Sequence, residues 1–519
     1  GGASPAITDC VIANNHAEKA NGGGLYCNYS RPVLRNCVFV GNTARGVHDV
    51  GNGMPYGGYG GAIAGEHSSP LLINCTFSNN QASYYGGAVC NYYGPSAAEM
   101  VNCISWNNYA LTDGNEVYSG NCDSPDIPSP SLNLEYCCIK GGVTNVGGFV
   151  TEGMGNIEPN CVDFIDVNNP VGPDGVFGSL DDGLRLCVTS PCVDAADGEV
   201  APLTDILGLV RADISDVNNT GSGQLLYTDM GAYELPVIWY VDKNASGAND
   251  GTAWVDAFED LQDALDIAQD GEEIWVADGN YIPDDAIGQT ASFRLTSGVR
   301  LYGGFSGLET AYHQRDWKTN RTFLSGDVGV LGDVNDNSYH VVTISGDASG
   351  ILLDGFTITG GNANGDNDYG NGGGVHCDNG NSVVIQNCIF EDNKASADGG
   401  GMYCWVSDGQ VTAKNCYFIG NIAGENGGGL YNNFMGAAIS CVFYDNFAAS
   451  GGGAYNDEGI SPDFINCTFV NNTASSQGGG LHNITGSNPT ITNCIFWGNH
   501  ATDGNEIKSY EGTSSIISY

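Results

Sequence analysis

Basic residues are scarce: 16 Lys and Arg stand against 60 Asp and Glu in 519 residues, a formal net charge of −44. So acidic a surface repels phosphate backbones and anionic lipid, which excludes nucleic acid as a partner and argues against membrane insertion. No apolar run approaches the ~20 residues that span a bilayer. There is no initiator Met and no signal peptide, which reads as a mature chain or a window of a longer one. Long amphipathic runs are nearly absent, and that excludes the helical repeat folds. The nineteen cysteines include no Cys-x-x-Cys pair, so they do not follow metal spacing.

Glycine, asparagine and periodicity are abundant instead. Cys388, Cys416, Cys441, Cys467 and Cys494 are spaced 28, 25, 26 and 27 residues apart, and Cys10, Cys37, Cys75 and Cys103 are spaced 27, 38 and 28. Each is followed five residues later by an asparagine: Asn15, Asn42, Asn80, Asn108, Asn393, Asn421, Asn446, Asn472 and Asn499. Most then meet a Gly-Gly-Gly or Gly-Gly-Ala run. Such a period marks a solenoid. Short β-type runs, about three per turn, predict an all-β fold: a right-handed parallel β-helix in tandem units, with one capping α-helix. Coils stacked about 4.8 Å apart turn every repeat position into a ladder. The cysteines are expected to face inward as small apolar groups, with the phenylalanine two residues on beside them. The asparagines are expected at turns, in left-handed backbone, hydrogen-bonding their own copies above and below. The glycines permit the tight corner.

Residues 1–156 read as the C-terminal coils of a first unit, enlarged once by a Gly- and Tyr-rich loop from Arg45 to Gly60. Residues 157–236 break the pattern and are placed to cap the last coil. Residues 237–271 open a second unit, with a helix predicted over Asp256 to Gln269, Asp256 and Glu259 forming its capping box. Residues 272–519 are incomplete coils of that unit. Thr112-Asp113-Gly114-Asn115-Glu116 recurs as Thr502-Asp503-Gly504-Asn505-Glu506, so residues 1 to about 136 match about 406 to 519.

Tyr240-Val241-Asp242, Asp250-Gly251-Thr252-Ala253-Trp254, Leu324-Ser325-Gly326-Asp327, Ser190-Pro191 and Asp229-Met230-Gly231-Ala232-Tyr233-Glu234 resemble bacterial extracellular parallel β-helix proteins of the choice-of-anchor Q type. The Gly-Gly-Gly and Phe-x-x-Asn repeats are also similar to those of polymorphic outer-membrane proteins. The resemblance implies a pectate-lyase-like solenoid at the cell surface or outside the cell. With the tandem unit, it implies a structural segment of a surface fibre, adhesin or matrix protein that associates with itself end to end. The alternative is a carbohydrate-binding or polysaccharide-cleaving β-helix, with Tyr56, Tyr59, Tyr84, Tyr85, Tyr92 and Tyr93 as a stacking face.

Catalysis is not expected. A uronate lyase of this fold needs clustered basic residues, and a hydrolase needs a Gly-His-Gly and paired aspartates on adjacent coils. Arg31, Arg35, Arg45, Lys394, Lys414 and Lys508 are scattered, and His376 and His482 read as turn or surface residues. Acidic loops are the better candidates. Asp163, Asp166, Asn168, Asp174, Asp181 and Asp182 crowd one, and Asp327, Asp333, Asn335 and Asp336 another; hard oxygen donors at such spacing suit Ca²⁺. Cys377 and Cys404 occupy the same place in adjacent coils and are a candidate disulfide, as are Cys187 and Cys192. Eight Asn-x-Ser/Thr sequons occur. Asn28, Asn218, Asn244, Asn320, Asn471 and Asn483 are glycosylation candidates. Asn74 and Asn466 directly precede ladder cysteines and are expected to be inaccessible.

Overall fold

The computed structural model describes residues 3–48, 55–121, 129–173, 175–179, 181–214, 217–295, 298–345, 350–378, 382–405, 410–433, 435–457, 459–484, 486–510 and 516–518. Strands account for 39% of the chain, and among the described residues there is one seven-residue α-helix, so the fold is an all-β parallel β-helix. Two compact units emerge, Gly1–Val237 and Ile238–Tyr519.

Each regular turn carries four strand segments, one more than the repeat suggests. In the second unit one strand precedes the ladder cysteine (Val383–Gln386, Val411–Lys414) and one follows it (Ile389–Glu391, Tyr417–Ile419). A short one follows the asparagine (Lys394–Ala395, Ile422–Ala423), and one follows the glycines (Met402–Trp405, Leu430–Asn433). Like strands of successive turns pair in parallel, with Phe390 opposite Phe418 and Cys377 opposite Cys404. In the first unit the strands after the cysteines are Val11–Ala13, Val38–Val40, Thr76–Ser78, Ile104–Trp106 and Cys138–Ile139, joined in one sheet. Residues 45–60 include the antiparallel pair Val47–His48 with Pro55–Tyr56, where a loop was expected.

Three inward ladders hold the coils. Cys388, Cys416, Cys441 and Cys467 are buried and Cys494 half-buried, and each backbone carbonyl of the first four accepts from the next coil at 2.9 Å. The rings of Phe390, Phe418, Phe443, Phe469 and Phe496 stack at 4.4–4.8 Å between centroids, within 8° of parallel. The asparagines chain by side-chain amide, Asn393 to Asn421, Asn446, Asn472 and Asn499, at 2.9–3.1 Å. These asparagines are not left-handed, contrary to expectation. The left-handed residues lie one earlier, at Asp392 (φ 57°), Asp445 (φ 56°) and Asn471 (φ 56°), and directly before the cysteines. The turn must be complete before the asparagine so that its amide points into the corner and reaches its copy.

The helix is shorter than expected, Leu261–Ile267 (α1), and Asp260 caps it by accepting from the Gln262 N–H. Asp256 instead accepts from the Ala248 N–H at 2.7 Å. A carboxylate drawn into that local turn cannot also cap a helix. Leu261, Ala264 and Leu265 still join the core of the second unit's first coils.

Residues 157–236 begin against the last post-cysteine strand of the first unit, where Ile157 pairs with Cys138, and do more than close it. They fold back along the outer face of the post-cysteine sheet of the first unit, and are called the covering segment below. Val38 and Val40 lie under Leu184, Ala232 and Tyr233; Ile104 and Trp106 lie under Val162, Leu186, Cys192, Val193 and Met230. The reason is in the strands. Phe39 and Phe77 fill the interior, while their neighbours Val38 and Val40, and likewise Ile104 and Trp106, present apolar groups outward. Burial of those groups draws a cover to the side of the coils.

Candidate functional site

The covering segment meets the sheet through the residues that precede the ladder cysteines. The left-handed turn at Asn36, Asn74 and Asn102 aims each side chain outward. Asn74 Nδ2 donates to the carbonyls of Asp229 (3.0 Å) and Gly231 (3.2 Å). Asn102 Nδ2 donates to the Asp197 carbonyl (2.9 Å), and its Oδ1 accepts from the Asp197 N–H (2.7 Å). Asn36 Nδ2 donates to the Thr204 carbonyl (2.8 Å). The Ala232 N–H donates to Thr76 Oγ1 at 3.0 Å. Gly231, at φ +90°, lies so close that a Cβ would stand 2.8 Å from both Ile104 Cδ1 and Thr76 Oγ1. Behind this contact Arg211 Nη1 is 2.6 Å from Glu234 Oε2, both buried. Asp205 accepts from the Leu207, Leu209 and Glu234 N–H groups, and Asp229 from those of Asp194 and Leu235.

The acidic-loop residues act inside this framework. Asp182 Oδ2 accepts from Tyr233 Oη (2.6 Å) and the Gly178 N–H (2.7 Å), and burial pushes its carboxyl up. Asp181 accepts from Ser179 Oγ, Asp163 from Thr189 Oγ1, and Asp166 from the Asn168 and Asn169 N–H groups. Asp174 lies outside the described residues. In the second loop Asp327 accepts from the Gly332 N–H, Asp333 from Asn335 and Asp336 from the Val330 N–H. Among the described residues no group of three or more His, Cys, Asp or Glu side chains converges as a metal site. The described carboxylates accept from backbone N–H groups of their own loops and from the hydroxyls of Ser179, Thr189 and Tyr233.

Cys377 and Cys404 are register partners but free thiols, as are Cys187 and Cys192. Cys187 sits near Asp163 and Cys161, and Cys192 against Cys138, so that second pair is not brought together. Asn28, Asn218, Asn244 and Asn471 are exposed and Asn320 is half-buried. Asn483 is not accessible as expected: it is fully buried, accepting from Asn456 Nδ2 and donating to Ser509 Oγ. Asn74 is buried, but Asn466, expected to be hidden, is exposed.

The tyrosine face packs on itself, on the side of its sheet opposite the interior residues Ile63, Val89 and Val117. Tyr59, Tyr92 and Tyr118 are buried together, with Tyr84, Tyr85 and Tyr93 packed against them. The side chain of Tyr56 lies outside the described residues. His482 is buried rather than at the surface, and His376 is half-buried. They belong to an aromatic column, His340, His376, Tyr403, Tyr431, Tyr455, His482 and Tyr510, with successive centroids 4.7–5.6 Å apart. Burial lowers the His340 and His482 imidazoles to about 4, so both are neutral at physiological pH. The signal for this column was present, since an aromatic or histidine stands two residues after each Gly-Gly-Gly run of residues 372–480. Also missed were Cys137, which continues the first cysteine ladder, and the ends of the asparagine ladders. Asn108 Nδ2 donates to Glu116 Oε2 (2.6 Å) and Asn499 Nδ2 to Glu506 Oε2 (2.5 Å). Both glutamates close the repeated Thr-Asp-Gly-Asn-Glu motif and supply the last acceptor of their column.

Fold and surfaces together define a parallel β-helix whose repeat residues face inward as ladders. Residues 74–92 and 466–484 match the Chlamydia polymorphic membrane protein repeat. No curated protein matches the chain. Among solved structures, the crystal structure of Escherichia coli YbhC overlaps it at 12% identity and a TM-score of 0.27, covering 64% of this chain and 94% of that one. Similarity that low has no bearing on this chain's activity.

Proposed function

We propose that this is a non-enzymatic, surface-exposed β-helix protein, a structural or adhesive segment of an extracellular fibre or matrix that associates with copies of itself end to end. The observation that carries this reading is the occurrence of polymorphic-membrane-protein repeats in both units. Their Cys, Phe and Asn positions serve the stacking of coils, and the buried histidines and tyrosines pack on one another rather than on a reacting centre. The charge of −44 keeps long stretches of coil solvated and apart from anionic membranes. The choice-of-anchor Q resemblance points to the same location.

Protease treatment of intact source cells, followed by electron microscopy of the released material, tests this. Release of peptides from the chain, together with axially associated particles, is the expected result. A chain protected inside the cell, or dispersed particles without axial contacts, would overturn it.

A further inference from the structure

The two segments that match the same repeat differ in what lies on them. Asn74-Cys75-Thr76-Phe77 and Asn466-Cys467-Thr468-Phe469 are identical in sequence, backbone turn and inward ladder. Asn74 is 0% exposed beneath the covering segment, whereas Asn466 is exposed with no hydrogen-bond partner for its side chain among the described residues. One coil further on, Asn102-Cys103-Ile104 and Trp106 correspond to Asn493-Cys494-Ile495 and Trp497. Ile104 is 1% exposed and Ile495 59%; Trp106 is 6% exposed and Trp497 72%. One coil earlier Val40, at 4%, corresponds to Tyr444, at 43%. The second unit thus repeats most of the contact surface of the first, including two of its three asparagine donors and the threonine acceptor that grip a backbone, with Ser440 standing where Asn36 does, and leaves it open.

We propose that the outer face of the post-cysteine sheet in the second unit is a docking surface. The strands are Tyr417–Ile419, Val442–Tyr444, Thr468–Val470 and Ile495–Trp497. Its occupant is a further copy of the 157–236 segment, joined after the second unit's coils as residues 157–236 are joined after the first. The interface established in the first unit identifies this occupant. Asn466 and Thr468 stand where Asn74 and Thr76 hold the Asp229-to-Ala232 backbone, and Asn493 stands where Asn102 holds Asp197. The polar donors therefore specify a polypeptide with a glycine at the close approach, and the apolar groups between them supply the burial. This inference does not depend on the surface-fibre reading.

The test extends the full chain after Tyr519 with a second copy of residues 137–237, and reads side-chain exposure by hydroxyl-radical footprinting. Oxidation of Trp497 should fall about tenfold, to the level of Trp106, as burial under a well-packed layer requires. Tyr444 should be protected as well. An extension by residues 137–156 alone adds a coil without a cover and should leave Tyr444 oxidisable. Gly231→Val in the appended copy should restore oxidation of both. The proposal is overturned if Tyr444 and Trp497 stay reactive in the long extension. It is equally overturned if the appended Met230 remains oxidisable, because the face then fails to organise the segment. Dimerisation of the unextended chain with Tyr444 already protected would assign the face to a second copy and also overturn it.

Discussion

Asn74 and Asn466 begin the same four residues, occupy the same left-handed turn and precede the same inward cysteine and phenylalanine, yet one is sealed and the other open to solvent. The inward half of a coil is determined within the repeat, because each ladder residue meets only its own copies. The outward half is determined by a segment 95 to 157 residues away, through Asp229, Gly231 and Asp197. One repeat can therefore be an interface in one unit and an open surface in the other without any change to its core.

The sharpest way to break this contrast is to unfasten the cover. Arg211→Ala leaves Glu234 buried without its partner, a loss of about 3–5 kcal/mol for a pair this enclosed. Trp106 should become reactive in footprinting, while the already open Trp497 should not change. Retention of Trp106 protection would mean that the ion pair does not hold the segment down.

The end of the first unit's asparagine ladder provides a pH test. Burial raises the Glu116 carboxyl to about 7, although Asn108 and Ser105 donate to it. Unfolded glutamate titrates near ~4.3. Between these values the folded chain binds a proton that the unfolded chain has released. The stabilisation is therefore full below ~4.3, falls as pH rises, and is lost above ~7, a span of about 4 kcal/mol. Burial raises the carboxyl of Asp194 in the covering segment too, with the same sign. Urea unfolding at pH 5 and pH 8 should show a less stable first unit at the higher pH, and Glu116→Gln should flatten part of that slope. A slope unaffected by the substitution would remove Glu116 as a cause.

The interior was legible in the sequence because identical residues stack on themselves. A period of 25–28 residues in Cys, Phe and Asn is both the sequence signal and the contact map. The position of residues 157–236 was not legible. Nothing periodic marks that segment, and its partners are outward residues that vary between coils: Val38, Thr76, Ile104. The left-handed turns were placed one residue late because the repeated asparagine is conspicuous, while the residue before it varies among Asp, Asn and Gly. The acidic loops are ambiguous in the sequence for another reason. Asp and Asn at close spacing serve local turns as readily as cations, and only the spatial arrangement distinguishes the two.

The asparagine pair measures the cover directly. Glycine keeps the left-handed turn, so Asn74→Gly and Asn466→Gly isolate the side-chain amide. Asn74→Gly strands the Asp229 and Gly231 carbonyls and should cost about 1–3 kcal/mol. Asn466→Gly should stay within ~0.5 kcal/mol, as at an exposed site. Equal losses in urea unfolding would show that the amide contributes through the coil rather than through the cover.

The smallest effect is expected from a chelator, and it asks whether the cover is fastened by a cation or by hydrogen bonds and the Arg211–Glu234 ion pair. Asp182 is engaged by Tyr233 and the Gly178 N–H, Asp166 by two backbone N–H groups and Asp163 by Thr189. A Ca²⁺ ion would have to compete with these donors for the same oxygens while gathering 6–8 ligands. Trp106 protection and the melting temperature should therefore be the same with and without EDTA. A drop in melting temperature, together with new oxidation at Trp106, would instead make Ca²⁺ the fastener of the covered face, with Asp174 the first ligand to substitute. The difference between the two faces would then depend on a cation as well as on the 157–236 polypeptide.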